Sequence, residues 1–144
     1  MNYERLTLAE KVFALRSIQC FKGLSDNEIV PIADAAVTVA YNKGERLGSS
    51  GRRLRRLYVV IEGTIVAADG RYLPAIMGSA SMLFNLPVAT DLIADRKTGA
   101  KCLLLDRSHF FTIAHQCPSF IRHLAQEQDF EVNRSSGRNG GRKA

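Results

Sequence analysis

The sequence predicts a mainly β domain with flanking helices, an α+β arrangement in which a small β-roll or jelly roll is held between an N-terminal helical segment and C-terminal helices. Three observations carry this. Two helix-period segments with Ser/Thr-x-x-Glu starts open the chain. Short β-branched and aromatic runs punctuated by glycine then occupy 37–105, the texture of antiparallel strands joined by tight turns. Beyond Asp106 the helical spacing returns. A chain of 144 residues, 46% of them hydrophobic, can bury one core without metals or disulfides, so a single domain is expected.

The elements follow in order. Thr7 and Glu10 have capping-box spacing, and Leu8, Val12, Leu15 and Ile18 recur at intervals of three or four, which predicts a first helix over 8–19. After Phe21-Lys22-Gly23-Leu24, Ser25 and Glu28 repeat the box, and Ile29, Ile32, Ala33 and Ala36 supply the apolar face of a second short helix. Pro31 is placed in its first turns, where a missing N–H costs little. The runs Val37–Tyr41, Leu57–Ile61 and Thr64–Ala68 then alternate with glycine turns at Gly44, Gly51, Gly63 and Gly70, a meander of short strands. Further strands are expected at Ala89–Ala94 and Lys101–Leu105, on either side of a Lys97-Thr98-Gly99 turn. Closing such strands into a roll removes their exposed edges. Asp106 can cap a helix through Ala114, and a last helix after Pro118 carries Phe120, Ile121 and Leu124. The tail Asn133–Ala144 has no large apolar residue and is expected to be disordered. The domain thus divides into helices (8–36), roll (37–105), helices (106–132) and a basic tail (133–144).

The net charge of +6 points to a nucleic-acid or acidic partner only until it is divided along the chain. Four of the 20 bases, Arg134, Arg138, Arg142 and Lys143, lie in the tail without an acid, which leaves 16 bases against 14 acids for 1–132. The folded part is nearly neutral. Apolar runs such as Leu57–Ile61 fall far below the roughly 20 residues of a membrane span, and the opening MNYERLTLAEKVF lacks the apolar stretch of a secretory signal. A cytoplasmic protein without a membrane span is expected. Cys20, Cys102 and Cys117 are odd in number and show no C-x-x-C spacing, so they are read as reduced, mostly buried thiols rather than a disulfide framework or zinc site.

Several anchors together resemble the cyclic-nucleotide-binding domain family of catabolite-activator-type transcription factors, cyclic-nucleotide-dependent kinases and gated channels. The stretch Phe21-Lys22-Gly23-Leu24-Ser25 running to Glu28, and on to Lys43-Gly44-Glu45, is similar to the family's opening. Gly51 followed by Leu57-Tyr58-Val59-Val60 and Gly63 matches its second glycine and "LYVV-x-x-G". Leu103-Leu104-Leu105-Asp106-Arg107 and Phe110 look like the "L-x-L-D-R-x-x-F" that closes the roll. The anchors cover about residues 12–125 in the family's order.

The resemblance implies a phosphate-binding cassette in which a Glu takes the ribose 2′-hydroxyl, an Arg neutralises the cyclic phosphate, and N–H groups at a helix start cradle the anion. In this chain Gly78, Leu83, Pro87 and Ala89 keep the cassette's register, but Ser79 stands in the place of the Glu and Val88 in that of the Arg. The family mode of cAMP or cGMP binding is therefore not expected, because losing a charge-assisted contact to a buried phosphate costs about 3 kcal/mol or more. The short stretch from Asp69-Gly70 to Gly78 also implies a trimmed wall. A residual site for a small anionic ligand could be built from Gly78, Ser79, Ser81, Val88, Ala89 and Thr90, with Arg71 or Arg96 reaching in; alternatively Ser79 merely caps a helix and the arginines are solvated.

Arg52, Arg53, Arg55 and Arg56 form a basic cluster before the LYVV strand, readable as a site for an acidic partner, phosphates or RNA, or as a solvated loop, since no aromatic residues are interleaved for base stacking. His109, His115, His123 and Cys117 lack metal-site spacing, and no metal or cofactor is expected. Neither a Gly-x-Ser-x-Gly elbow nor a P-loop occurs, so no catalytic residue is assigned and no enzyme is expected. The polar, glycine-rich residues after the last helix are not expected to form the helix-turn-helix domain of the family's transcription factors. The expectation is a non-catalytic regulatory or protein-interaction module with a protein partner or homodimer, for which Phe120, Ile121, Leu124 and Phe130 would supply an apolar seam. Two alternatives stand beside it: a small-ligand or cyclic-nucleotide sensor with an altered binding mode, and a nucleic-acid-associated protein acting through the basic cluster and tail.

Overall fold

The computed structural model describes residues 1–124. A strand β1 (Asn2–Glu4) precedes the helices α1 (Leu8–Arg16) and α2 (Asp26–Ala35), with a single 3-10 turn at Gln19–Phe21 between them. The roll follows as β2 (Val37–Tyr41), β3 (Arg46–Gly48), β4 (Arg56–Gly63), β5 (Ile65–Val66), β6 (Ile76–Met77), a short helix α3 (Ser79–Phe84), β7 (Leu92–Ala94) and β8 (Ala100–Asp106). The helix α4 (Arg107–Gln116) and a helical stretch over 118–124 close the described chain. The expected helices of 106–132 are thus described as far as 124, while their remainder, Phe130 and the basic tail lie outside the described residues.

The strands form two antiparallel sheets, ordered β1-β2-β8-β4-β6 and β3-β7-β5. β4 and β8 are the longest pair, from Arg56 opposite Asp106 to Gly63 opposite Ala100, with a register shift between Val60 and Glu62. Their sequences are nearly continuous apolar runs because both faces of this wall are covered. Leu57, Val59, Leu103 and Leu105 face the helices in a cluster with Phe21, Ile29, Phe110 and Phe120. Val60, Cys102 and Leu104 face the inside of the roll, where they meet Val39, Tyr41, Ile65 and Leu92. Gly63 marks the end of the pair: a Cβ there would lie 2.2 Å from the Gly99 carbonyl oxygen, so no other residue lets the two turns pass so closely.

Both capping boxes form. The Glu10 N–H donates to Thr7 Oγ1 (3.1 Å) and the Thr7 N–H to Glu10 (3.0 Å), and the Ser25 N–H donates to Glu28 (2.8 Å). Asp106 caps α4 by accepting the His109 N–H at 2.9 Å. Four details depart from the sequence reading. α1 stops at Arg16, where the Ser17 hydroxyl turns back to the Ala14 carbonyl, three residues short of the expected end and before the 3-10 turn that starts at Gln19. Pro31 is the sixth residue of α2, a turn deeper than a residue whose N–H is unpaired anyway, so it removes an intrahelical bond. β7 begins at Leu92 rather than Ala89, because Ser50 captures the Ala89 carbonyl (3.2 Å) and the Asp91 carboxylate (2.7 Å) and draws 89–91 out of the ladder. β1 has no apolar alternation and all three residues are exposed; it is held by pairing with β2 and by Glu4 on Lys101 at 2.9 Å.

Candidate functional site

α3 starts where β6 ends, and Gly78 makes the junction. Its φ is +102°, and a Cβ there would lie 2.6 Å from the Arg56 carbonyl oxygen, so glycine alone lets the strand-to-helix turn run beneath the start of β4. Ser79 and Ser81, on the first turn of α3, are both buried. Ser81 Oγ accepts the Leu54 N–H (3.0 Å) and donates to the Leu86 carbonyl (2.7 Å), which ties the two ends of the cassette to the loop before β4. The same loop is bound further along the cassette. The Val88 N–H donates to the Arg52 carbonyl and the Gly51 N–H to the Val88 carbonyl, each at 2.9 Å, and Arg53 Nε donates to the Asn85 carbonyl at 2.7 Å. Ala89 accepts from Ser50, and Thr90 Oγ1 accepts the Ala68 N–H at 3.0 Å. The six cassette positions singled out in the sequence therefore lie along one turn-helix-loop, with 49–54 folded against it.

Leu54 is the residue this arrangement buries. It is 7% exposed and joins the interior cluster, on which Val88 also packs. Its Cδ2 lies 2.9 Å from where a Cβ on Gly48 would be, and its Cδ1 lies 3.4 Å from the corresponding position on Gly78, which puts the side chain between β3 and the start of α3. The surrounding interior is strongly apolar. Burial pushes the phenols of Tyr41 and Tyr58 up, with ring centroids 6.5 Å apart, and raises the Cys102 thiol to about 12. Such an interior disfavours an unpaired anion.

The outlying candidates do not converge on the cassette. Arg71 Nε is committed to the Asp69 carboxylate at 2.8 Å, and Arg96 sits on the turn at the end of β7 away from Thr90. Arg96 instead borders a groove of about 250 Å³ shared with Val66, Tyr72, Ile93, Asp95 and Lys97. Arg52, Arg53, Arg55 and Arg56 are all exposed, and none forms an ion pair among the described residues. His109 rests against Asp106 (2.9 Å) and His123 against the Cys20 carbonyl (3.1 Å). Among the described residues no three His, Cys, Asp or Glu side chains gather to hold a metal, and no helix is long and apolar enough to cross a membrane.

The apolar seam needs correction. Phe120 and Leu124 are fully buried, and Phe120 stacks on Phe21 with centroids 5.4 Å apart; Ile121 is partly buried against the same cluster, and Phe130 lies outside the described residues. The spacing of Phe120, Ile121 and Leu124 belongs to the domain's own core rather than to a free face.

No protein-family model matches the sequence. Solved structures do match. The regulatory subunit of a cAMP-independent protein kinase A from Trypanosoma brucei gives a TM-score of 0.73 at 22% identity over 90% of this chain and 49% of that one. This chain has the fold of a cyclic-nucleotide-binding domain. A triple variant of the same subunit, one of whose replacements puts arginine in place of threonine, is bound to cAMP in its A site and gives 0.68 at 21% identity over 90% and 51% of the two chains. The catabolite activator protein of Thermus thermophilus gives 0.67 at 18% identity over 84% and 61%. The chain spans about half the length of these two trypanosomal subunit chains. At these identities the likeness is one of fold.

Leu54 is the site residue that sequence reasoning missed. The signal in the sequence is slight: Leu54 is the one apolar side chain among Arg52, Arg53, Arg55 and Arg56, and so the one of the five that gains from burial.

Proposed function

We propose that this chain is a non-catalytic regulatory or protein-interaction module on the cyclic-nucleotide-binding fold, and that it does not take cAMP or cGMP in the usual mode. The observation that carries this reading is Leu54, lodged between β3 and the start of α3, with Val88 packed on the same apolar cluster and the Ser81 hydroxyl committed to Leu54 and Leu86. A cyclic phosphate there would meet a leucine and a valine in place of a guanidinium, and an interior that holds its phenols and thiol neutral. The similar trypanosomal subunit is described as belonging to a cAMP-independent kinase, and its cAMP-bound variant carries an introduced arginine. The same fold thus occurs in the regulatory subunit of a kinase that does not depend on cAMP.

Isothermal titration with cAMP and with cGMP tests the reading. The wild-type chain is expected to give no saturable heat up to about 1 mM nucleotide. The variant Ser79→Glu/Val88→Arg, with Leu54→Ala to clear space, is expected to gain measurable binding. Saturable micromolar binding by the wild type would instead favour a nucleotide sensor with an altered mode.

A further inference from the structure

Two features far apart in sequence meet at the outer side of the cassette. One is apolar: Phe84 is 56% and Leu86 43% exposed, and Pro87 beside them is exposed as well. The other is the arginine loop, with the side chains of Arg52, Arg53 and Arg55 exposed. Arg53 Nε on the Asn85 carbonyl (2.7 Å), and the Val88 N–H on the Arg52 carbonyl (2.9 Å), fix the loop directly against 84–88. Asp91, the acid that follows this segment, is already taken by the Ser50 N–H (2.7 Å) and Arg46 (3.8 Å), and Arg52, Arg53 and Arg55 form no ion pair with a described residue. An apolar centre rimmed by arginine is the composition of a protein-binding surface.

We propose that Phe84 and Leu86, with the rim Arg52, Arg53 and Arg55, form a docking site for a partner protein's acidic segment in which apolar side chains are flanked by Asp or Glu. The carboxylates would pair with guanidinium groups that keep forked donors free, and the apolar side chains would cover Phe84 and Leu86. Charge selects an anionic occupant, and the apolar centre of Phe84 and Leu86 selects an acidic peptide over nucleic acid. Single strands are held by successive aromatic faces along a basic groove, whereas this patch offers one ring, and Leu86 and Pro87 have no π face on which a base could stack. The inference names a partner chemistry for the interaction module proposed above and rests on that reading.

The test uses the full chain and a fluorescein-labelled twelve-residue peptide with a central Leu-Leu-Phe flanked by Asp and Glu. Fluorescence anisotropy is expected to show saturable binding, weakened at least tenfold by Arg52→Glu/Arg55→Glu and by Phe84→Ser. Phe13→Ser, which removes an aromatic 81% exposed on α1, is expected to change it less than twofold. The Glu double variant is expected to bind the Lys-for-acid version of the probe instead, which separates charge pairing from damage to the fold. The proposal is overturned if the acidic probe does not saturate, or if Phe13→Ser matters as much as Phe84→Ser. It is equally overturned if a twelve-nucleotide single-stranded RNA, or a peptide of residues 126–133 of this chain, competes more strongly than the unlabelled probe. None of these readouts depends on cyclic nucleotide, so failure of the docking site and failure of the degenerate-pocket reading are told apart by the titration with cAMP.

Discussion

Leu54 shows how much one side chain can decide. Its backbone N–H holds Ser81, its methyl groups lie against the Gly48 and Gly78 positions, and its neighbours in sequence are the exposed arginines. Truncating it to alanine leaves the hydrogen bond and removes the filling. Leu54→Ala is expected to destabilise the domain by about 2–3 kcal/mol, toward the lower end for a buried leucine because the site lies near the mouth of the roll. Urea denaturation followed by far-UV circular dichroism reads the loss. A change within about 0.5 kcal/mol would mean that the leucine does not fill the roll.

At the scale of the element, the start of α2 couples a cap to a distant helix. Glu28 accepts from the Ser25 N–H within its own cap, and Oε2 also accepts from the buried Cys117 thiol at 3.0 Å, across from the end of α4. The Cys117 bond, followed by those from Ser25, pulls the carboxyl from its ordinary 4.5 to about 2. Because the folded value lies below the unfolded one, Glu28 stabilises the fold fully above about pH 4.5, and the contribution is lost as pH falls toward 2. Glu28→Gln should therefore be less stable than wild type at neutral pH and converge with it in acid, as urea midpoints measured between about pH 5 and pH 2.5 would show. Parallel curves would rule out this role for Glu28.

This cap was legible in the sequence as Ser25-x-x-Glu28; its second partner was not, since nothing in the spacing joins residue 28 to residue 117. The same contrast runs through the other elements. α2, α4, β2, β4 and β8 were readable because their periodicity agrees with their burial, and α1 because of its capping box, although Leu8 at the start of its expected apolar face is 42% exposed. β1, β3, β6 and the late start of β7 were not, because two- and three-residue strands are set by partners and by Ser50 rather than by local pattern. In the site, Gly78, Ser79 and Val88 could be put on one turn-helix-loop from their order in the sequence; the arginine loop against Phe84 could not, since it is a tertiary contact.

For the whole molecule, helices and roll share one wall. Phe120, read from its spacing as part of a dimer seam, stacks on Phe21 and meets Phe110 at 6.2 Å on the helical side of that wall. Phe120→Glu is thus expected to unfold the domain by placing an unpaired carboxylate in the core, rather than to dissociate an oligomer. Light scattering and circular dichroism on the same sample distinguish the two: a monodisperse, folded variant of halved mass would restore the seam.

The shared wall has a mechanical consequence. Along β4, Val59 belongs to the helical compartment and Val60 to the roll, and in β8 Leu103 and Leu104 divide in the same way. The helical compartment also receives Met82 from the cassette helix, whose Ser81 holds Leu54 in the other. Neither compartment can loosen without stripping one side of the same two strands, so the halves are geared together. A partner pulling on the cassette would be felt beneath the helices, with the central amides of β4 and β8 the last to let go.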